Sequence, residues 1–295
     1  MRPLPSNLSA VFPWEPSYID QPGGRQAFID AGPRSDVALV AVHGNPTWSF
    51  YWRAMIAHVA PHHRVIVPDH IGCGRSDKPQ DWTYRLQDHV DNLERLLDTL
   101  RVERIVLAVH DWGGAIGMGV ATRRPDRIAG LLVTNTAAWR SQRIPASIAS
   151  CRIPGFGPLA VRGFNGFARV ATVRATAKGL SPEASAGLLW PYDSWENRIA
   201  TLRFVEDIPL RPRHPSYAEL ARIEAGLAEL RDKPALICWG GEDFCFDHTF
   251  LRGWTQRFPK ATMHLWDDVG HYVMEDAPSR TLAAADALFG RVEGW

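Results

Sequence analysis

The chain has 295 residues, which is long enough for one domain with a sizeable core and an insertion. Its net charge of +1 gives no overall basic surface for nucleic acid. No apolar run approaches the ~18 residues of a membrane helix, and the proline-rich N-terminus lacks the apolar core of a signal peptide. Four scattered cysteines lack metal-ligand spacing. We therefore expect a cytoplasmic protein without a metal site.

Short apolar runs alternate with helical patterns along most of the chain, which predicts a parallel sheet with crossover helices. The predicted strands are 37–44, 64–69, 104–111, 128–135, 235–241 and 262–267. The predicted helices are 49–60, 84–100, 114–123, 217–231, 247–258 and 277–290.

This alternation is interrupted between residues 137 and 215, where the sequence is rich in Pro, Gly and Arg and contains only weak helical patterns. We interpret 1–136 and 216–295 as two parts of one main domain and 137–215 as an inserted helical cap. Because ligands bind at the carboxyl ends of the strands in open α/β sheets, such a cap would cover the site and exclude water.

The stretch "IVLAVHDWGG" (105–114) runs from a strand through an abrupt turn into a helix with small residues at the corner. It resembles the nucleophile elbow of α/β-hydrolases, with Asp111 in the place of the usual serine. An aspartate is ionised at neutral pH without a base, so it suits displacement at an sp3 carbon. The alternative interpretation is that Asp111 only caps the following helix.

Two side chains near this turn are predicted to bind a leaving anion. Asn45 follows the strand 37–44 in "VHGNPTWS", a turn that lies beside the elbow in α/β-hydrolases. Its amide and the indole N–H of Trp112 could together hold a halide or a carboxylate oxygen. The alternative for Asn45 is a structural Asn-Pro turn.

The order nucleophile, acid, histidine of α/β-hydrolases identifies two further candidates. His271 in "VGHYVMED" follows the last strand and is predicted to be the catalytic base. The acid that orients it should follow the preceding strand, where Glu242, Asp243 and Asp247 occur. The spacing favours Asp243, since Asp247 is better placed to cap the next helix. Asn135 stands where some relatives carry the acid instead.

The motifs "HGNPTWS", "PDHIGCGRSDKP", "HDWGG", "WGGEDF" and "VGHYVMED" make the chain resemble the α/β-hydrolase superfamily, and within it the haloalkane dehalogenases of the third subgroup. The resemblance implies a mostly parallel eight-stranded sheet with helices on both faces, the triad Asp111, His271 and Asp243, and no cofactor. The segments 151–171 and 192–217 look more like the β-lactone decarboxylases of bacterial long-chain olefin synthesis.

The resemblance therefore implies a β-lactone decarboxylase that converts cis-3-alkyl-4-alkyl-oxetan-2-ones to cis-alkenes and CO2. Asp111 would attack the ring carbon that bears the lactone oxygen; attack at the carbonyl, giving a mixed anhydride, is the alternative route. The alternative activity is haloalkane hydrolysis through an ester on Asp111, with water activated by His271. A non-catalytic binding protein is the alternative of another class.

Two further family activities fit less well. Epoxide hydrolases need two cap tyrosines, for which Tyr192 and Tyr217 are available, but that role leaves Asn45 and Trp112 unexplained. Fluoroacetate dehalogenases resemble the type that carries an arginine directly after the nucleophile, whereas this chain has Trp112 at that position.

The predicted cap contains Phe156, Phe164 and Phe167 among arginines. They could line a tunnel for a small apolar substrate, pack in the core of the cap, or face a membrane or another enzyme of the olefin pathway.

Overall fold

A computed structural model describes residues 3–295 and contains one eight-stranded sheet with the strand order β1-β2-β4-β3-β5-β6-β7-β8. The strands β1 to β8 are, in order, Ser17–Gln21, Gly24–Ala31, Val37–Val42, Val65–Pro68, Arg104–Asp111, Ile128–Thr136, Ala235–Gly240 and Thr262–Trp266. β2 pairs antiparallel with β1 and with β4, and all other pairs are parallel. The mostly parallel sheet is as predicted.

All six strands predicted from apolar runs are present, whereas β1 and β2 had no matching prediction. β1 is largely exposed, so its sequence lacks the continuous apolar run of a buried strand. The turn between β1 and β2 contains Pro22 and Gly23, a dipeptide that is typical of turns. That turn was the available signal for the hairpin.

Thirteen α-helices accompany the sheet in the described residues. The helices α1 to α13 are, in order, Ser6–Val11, Arg53–Val59, Leu86–Thr99, Trp112–Arg123, Ala146–Ser150, Phe156–Pro158, Gly166–Arg174, Pro182–Leu189, Ile199–Glu206, Tyr217–Gly226, His248–Arg257, Val273–Asp276 and Pro278–Phe289. The predicted helix 49–60 begins as the 3-10 turn Ser49–Trp52, and the predicted helix 217–231 ends as the 3-10 turn Leu227–Leu230.

Helices cover both faces of the sheet, because successive residues of its central strands point to opposite faces. On β5, Leu107 packs in a cluster with α3, α4 and α10, while its neighbour Val106 packs in a second cluster with α2 and α13. Burial on both faces explains why these strands read as continuous apolar runs.

Residues 137–215, all of which the structure describes, contain α5 to α9 and no strand. They connect β6 to α10 and β7, so they leave the sheet at the carboxyl end of β6. This is the edge of the sheet where the carboxyl end of β5 also lies, since β5 and β6 are parallel.

The junction between β5 and α4 is the sharpest turn that bears on the site. Asp111 has φ 52° and ψ −126°, a left-handed conformation that costs a non-glycine residue about 1–3 kcal/mol. Two residues later, Gly113 packs so closely that a Cβ there would collide with the main-chain carbonyl oxygen of Val42. The absence of a side chain at this position lets α4 start directly behind the end of β3.

We expect Gly113→Ala to lower the free energy of unfolding by about 1–3 kcal/mol or more, because the obstructing atom belongs to the backbone and cannot rotate away. In an unobstructed helix the same substitution would stabilise by about 1 kcal/mol. Urea denaturation measures the difference.

Gly290→Ala is the matched control, since a Cβ there meets only the Asp286 carbonyl oxygen at 3.6 Å. Equal free energies of unfolding for Gly113→Ala and Gly290→Ala would contradict the close approach of α4 to β3.

Candidate active site

Four loops at the carboxyl edge of the sheet bring the predicted site residues together. Asn45 follows β3, Asp111 ends β5, Asp243 follows β7 and His271 follows β8. All four side chains belong to residues that are at most 8% exposed. Trp112, the first residue of α4, is half-buried beside them.

The Asp111 carboxylate does not cap α4. It accepts the main-chain N–H of Trp112, the first helical residue, but makes no side-chain capping hydrogen bond to the following turn. Instead, its Oδ1 accepts a hydrogen bond of 2.7 Å from the main-chain N–H of Asn45. The carboxylate therefore points across the carboxyl end of the sheet toward β3, and the alternative interpretation as a simple N-cap is wrong.

His271 lies between two carboxylates. Its Nδ1 is 2.8 Å from Asp243 Oδ2, and its Nε2 is 3.7 Å from Asp111 Oδ2. The ring stacks on Phe246 at a centroid distance of 5.7 Å. A hydrogen bond to Asp243 fixes the tautomer and aims Nε2 at Asp111.

Asp243, rather than Glu242 or Asp247, contacts the histidine. Asp243 Oδ2 also accepts from the Asn135 amide at 2.8 Å. Glu242 is exposed, and Asp247 caps α11 by accepting from the Thr249 N–H at 2.8 Å. The position at which some relatives carry the acid thus supplies a hydrogen bond to the acid of this chain.

The pKa values of the three groups move in directions set by burial and by one another. Burial raises the pKa of Asp111, and the charge of His271 with the main-chain N–H groups of Asn45 and Trp112 only partly oppose it. Burial would lower the pKa of His271, but the charge and hydrogen bond of Asp243, followed by the charge of Asp111, raise it.

For Asp243 the opposing effects give a lowered pKa. Burial would raise its pKa, but the charge and hydrogen bond of His271, the Cys245 N–H and the Asn135 amide together lower it. Asp243 is therefore the stronger acid of the two carboxyls, and Asp111 is a desolvated carboxylate. Removal of water from an anionic nucleophile favours its attack on carbon.

The two side chains predicted to bind an anion are both held by α9. The Asn45 amide donates to the Thr201 carbonyl at 3.1 Å, which uses one of its two hydrogens. The Trp112 ring packs on Phe204 at a centroid distance of 5.2 Å. No sequence signal identified Thr201 or Phe204, because they lie about ninety residues beyond Trp112 in the irregular segment.

A cavity of about 870 Å³, a volume that includes open solvent at its mouth, has Asp111, Asn45 and Trp112 in its wall. Most of its other lining is apolar and comes from both the sheet loops and the inserted segment. The aliphatic and aromatic lining residues are Leu86, Ala115, Ala137, Trp139, Ile144, Ile148, Phe167, Val205, Ile208, Leu220, Phe246 and Phe250. The cavity suits an apolar molecule with a reactive centre at Asp111.

The three phenylalanines of the predicted cap have different positions. Phe167 lines the cavity, whereas Phe156 and Phe164 are 54% and 69% exposed. Contact of that exposed surface with a membrane or another enzyme stays a prediction. No helix among residues 3–295 combines the length and the hydropathy needed to cross a bilayer.

Neither candidate cap tyrosine lies in the cavity wall. The Tyr192 hydroxyl is buried and donates to the Thr47 carbonyl at 3.4 Å. Tyr217 packs under the guanidinium of Arg140. An epoxide hydrolase site with these two acids does not fit this arrangement.

Known proteins resemble this chain over most of its length. The sequence pattern of the α/β hydrolase fold matches residues 37–149. The chain is 43% identical to a cis-3-alkyl-4-alkyloxetan-2-one decarboxylase of Shewanella oneidensis (93% of this chain and 88% of that protein), and 38% identical to one of Xanthomonas campestris (95% and 97%). It is 30% identical to haloalkane dehalogenase 2 of Mycobacterium tuberculosis (95% and 96%).

Solved structures give the same fold. The haloalkane dehalogenase of Bradyrhizobium elkani superimposes with a TM-score of 0.85 at 27% identity, over 94% of this chain and 98% of that one. An ancestral haloalkane dehalogenase superimposes with a TM-score of 0.83 at 29% identity, over 93% of this chain and 99% of that one.

Fold and relatives together define an α/β-hydrolase. More narrowly, the chain belongs to the family that comprises the haloalkane dehalogenases and the cis-3-alkyl-4-alkyloxetan-2-one decarboxylases.

We expect Asp243→Asn to lower the pKa of His271 relative to the unchanged protein. The substitution removes the largest of the contributions that together outweigh the effect of burial on the ring, while it preserves the size of the side chain. An NMR titration of the histidine ring resonances measures the shift.

Asp268→Asn is the control, because it removes the same charge from an exposed carboxylate that binds Arg280 and Lys178. Equal His271 pKa values in the two variants would contradict the assigned cause.

Proposed function

We propose that the protein decarboxylates cis-3-alkyl-4-alkyl-oxetan-2-ones to cis-alkenes and CO2. The observation that carries this proposal is the Asp111 carboxylate, which lies with the side chains of Asn45 and Trp112 in the wall of a mostly apolar cavity. The higher identity to the two decarboxylases than to haloalkane dehalogenase 2 favours a lactone over a halide as the substrate.

In the first step, an Asp111 oxygen attacks C4, the ring carbon that bears the ring oxygen. The C4–O bond breaks with inversion, and the ring opens to an ester on Asp111 with a free carboxylate. We assign the second hydrogen of the Asn45 amide and the Trp112 indole N–H to that carboxylate, since preorganised donors in a dry site stabilise developing charge.

In the second step, the bond from C3 to the carboxylate carbon breaks and its electron pair forms the alkene. CO2 leaves, and the C4–O bond to Asp111 breaks and returns the electron pair to the carboxylate. Inversion followed by antiperiplanar elimination is a net syn process, so a cis lactone gives a cis alkene.

Stereochemistry disfavours the mixed anhydride route. Attack at the carbonyl carbon leaves the ring oxygen on C4 as an alkoxide, which is a poor leaving group. That alkoxide would have to attack the aspartyl carbonyl of the anhydride, which frees the substrate carboxylate and forms an Asp111 ester in which C4 keeps its configuration. Antiperiplanar loss of CO2 would then convert a cis lactone to a trans alkene, whereas attack at C4 gives the cis alkene.

We further propose that residues 137–215 act as the cap of this site. α7 and α9 contribute Phe167 and Val205 to the cavity wall, and α9 also holds Asn45. The cap would thus exclude water and position the leaving-group amide at the same time.

Haloalkane hydrolysis is the second candidate, because the same nucleophile can displace a halide. In that reaction Asp111 forms an alkyl ester, and His271 takes a proton from the water that hydrolyses it. Unlike decarboxylation, this route consumes one water for each turnover.

We expect Asp111→Ala to reduce alkene formation from a cis-3,4-dialkyl β-lactone at least about a thousandfold, because the covalent step is lost. Gas chromatography measures the alkene, and a parallel assay with a bromoalkane measures bromide. Circular dichroism confirms that the variant folds.

The exposed His62→Gln is the control variant and should retain both signals of the unchanged protein. Equal alkene yields from Asp111→Ala and wild type would refute covalent catalysis. Bromide release without alkene from the wild type would favour the dehalogenase.

We expect Trp112→Phe to lower kcat for alkene formation about 10²-fold or more, because the ring still packs on Phe204 while the indole donor is lost. Trp266→Phe, at a half-buried position on β8 outside the cavity wall, is the matched control. Steady-state kinetics of both variants measures the effect. An unchanged kcat in Trp112→Phe would remove this indole from the anion site.

A further inference from the structure

No step of the proposed reaction requires a catalytic base. A β-lactone and the alkene plus CO2 formed from it contain the same atoms, so no proton is removed and no water is added. His271 nevertheless stands with Nε2 3.7 Å from Oδ2 of Asp111, the carboxylate that C4 must leave in the second step. Its presence there calls for a role other than proton abstraction.

We propose that His271 keeps its proton throughout the decarboxylation and acts as a fixed cation opposite the departing Asp111 carboxylate. This inference rests on the proposed function. Nδ1–H is donated to Asp243 at 2.8 Å, so the second proton of the imidazolium sits on Nε2 and faces Asp111. A cation at that position stabilises the negative charge that returns to Asp111 as the C4–O bond breaks.

The protonation of His271 also decides between two fates of the ester. A neutral imidazole can take a proton from water, and the resulting hydroxide would attack the Asp111 ester carbonyl. That step breaks the acyl C–O bond and releases a 3-hydroxy acid, while Asp111 gains one oxygen from water. An imidazolium cannot accept that proton, so the ester can only lose CO2.

Two carboxylates are the charged groups that face His271 in the described structure. Asp243 holds Nδ1, Asp111 faces Nε2, and both raise the pKa of the ring against the opposing effect of burial. The imidazolium is thus the favoured form up to a higher pH than for an exposed histidine, and it is lost as the pH rises through that raised pKa.

The other titratable neighbours are neutral. His110 on β5 lies 4.5 Å from the His271 ring and donates its Nε2–H to the His271 carbonyl at 3.0 Å. Burial lowers the pKa of His110 far below its ordinary value, so it carries no competing positive charge. Burial likewise raises the pKa values of the Tyr272 hydroxyl and the Cys245 thiol, which both keep their protons.

The test is the ratio of alkene to 3-hydroxy acid from one cis β-lactone between about pH 6 and about pH 10. We expect alkene to dominate at low pH, and the ratio to fall about tenfold for each pH unit, because it is proportional to the ratio of imidazolium to neutral imidazole. NMR titration of the same protein locates the His271 pKa. Asp243→Asn, which lowers this pKa, should shift the pH at which the two products are equal to a lower value.

Turnover in H2 18O supplies a readout that does not depend on titration. We expect the peptide that contains Asp111 to stay unlabelled while alkene is the product, and to acquire heavy oxygen only under conditions that give 3-hydroxy acid. In His271→Gln, which can neither carry the charge nor act as a base, we expect alkene formation to fall about 10²-fold or more and to lose its pH dependence.

His62→Gln controls for the loss of an exposed histidine. An alkene yield that rises with pH through the His271 pKa, or labelling of Asp111 in proportion to alkene, would overturn the inference while leaving the proposed function intact. Failure to form alkene from the lactone at any pH would instead overturn the proposed function and this inference together, whether the products are hydroxy acid from the lactone or bromide from a bromoalkane.

Discussion

The backbone of Asp111 is the constraint on which the site depends. A left-handed residue between a buried parallel strand and a helix directs its carboxylate toward the loop after β3. The strain of this conformation persists because the surroundings leave no alternative: β5 is paired on both sides, and α4 lies against the backbone of β3. A rigid sheet thus presents one carboxylate to a cavity.

The charges that act on Asp111 are those of the other two triad residues, His271 and Asp243. Asp111 and Asp243 flank a single imidazole, and main-chain N–H groups and the Asn135 amide donate further hydrogen bonds to the carboxylates. In an apolar surrounding such interactions are stronger than in water. The same three groups can support hydrolysis or elimination, so the substrate and the proton on His271, rather than a different set of side chains, would select the outcome.

Local sequence patterns predicted the sheet and the elbow because both depend on short-range features. Continuous apolar runs mark strands that are buried on both faces, and a strand followed by Asp-Trp-Gly-Gly marks a corner with no room for side chains. The order of the triad in the family directed attention to the loops after β7 and β8, and within the first of these the spacing distinguished Asp243 from Glu242 and Asp247.

Long-range contacts could not be predicted in the same way. The exposed β1 lacks an apolar run, so the hairpin had only its Pro-Gly turn as a signal. The contacts that α9 makes with Asn45 and Trp112 depend on how an irregular segment folds back over the sheet. For the same reason the phenylalanines of that segment could not be sorted by sequence into Phe167, which lines the cavity, and Phe156 and Phe164, which face outward.

Rapid-quench mass spectrometry of His271→Gln mixed with a cis-dialkyl β-lactone tests covalent attack by Asp111 most directly. If the imidazolium assists departure of the carboxylate, its loss slows the second step and the ester accumulates. We predict an adduct with the mass of the intact lactone on the peptide that contains Asp111. Alkene release with this peptide unmodified at every quench time, or an adduct on another residue, would contradict the account.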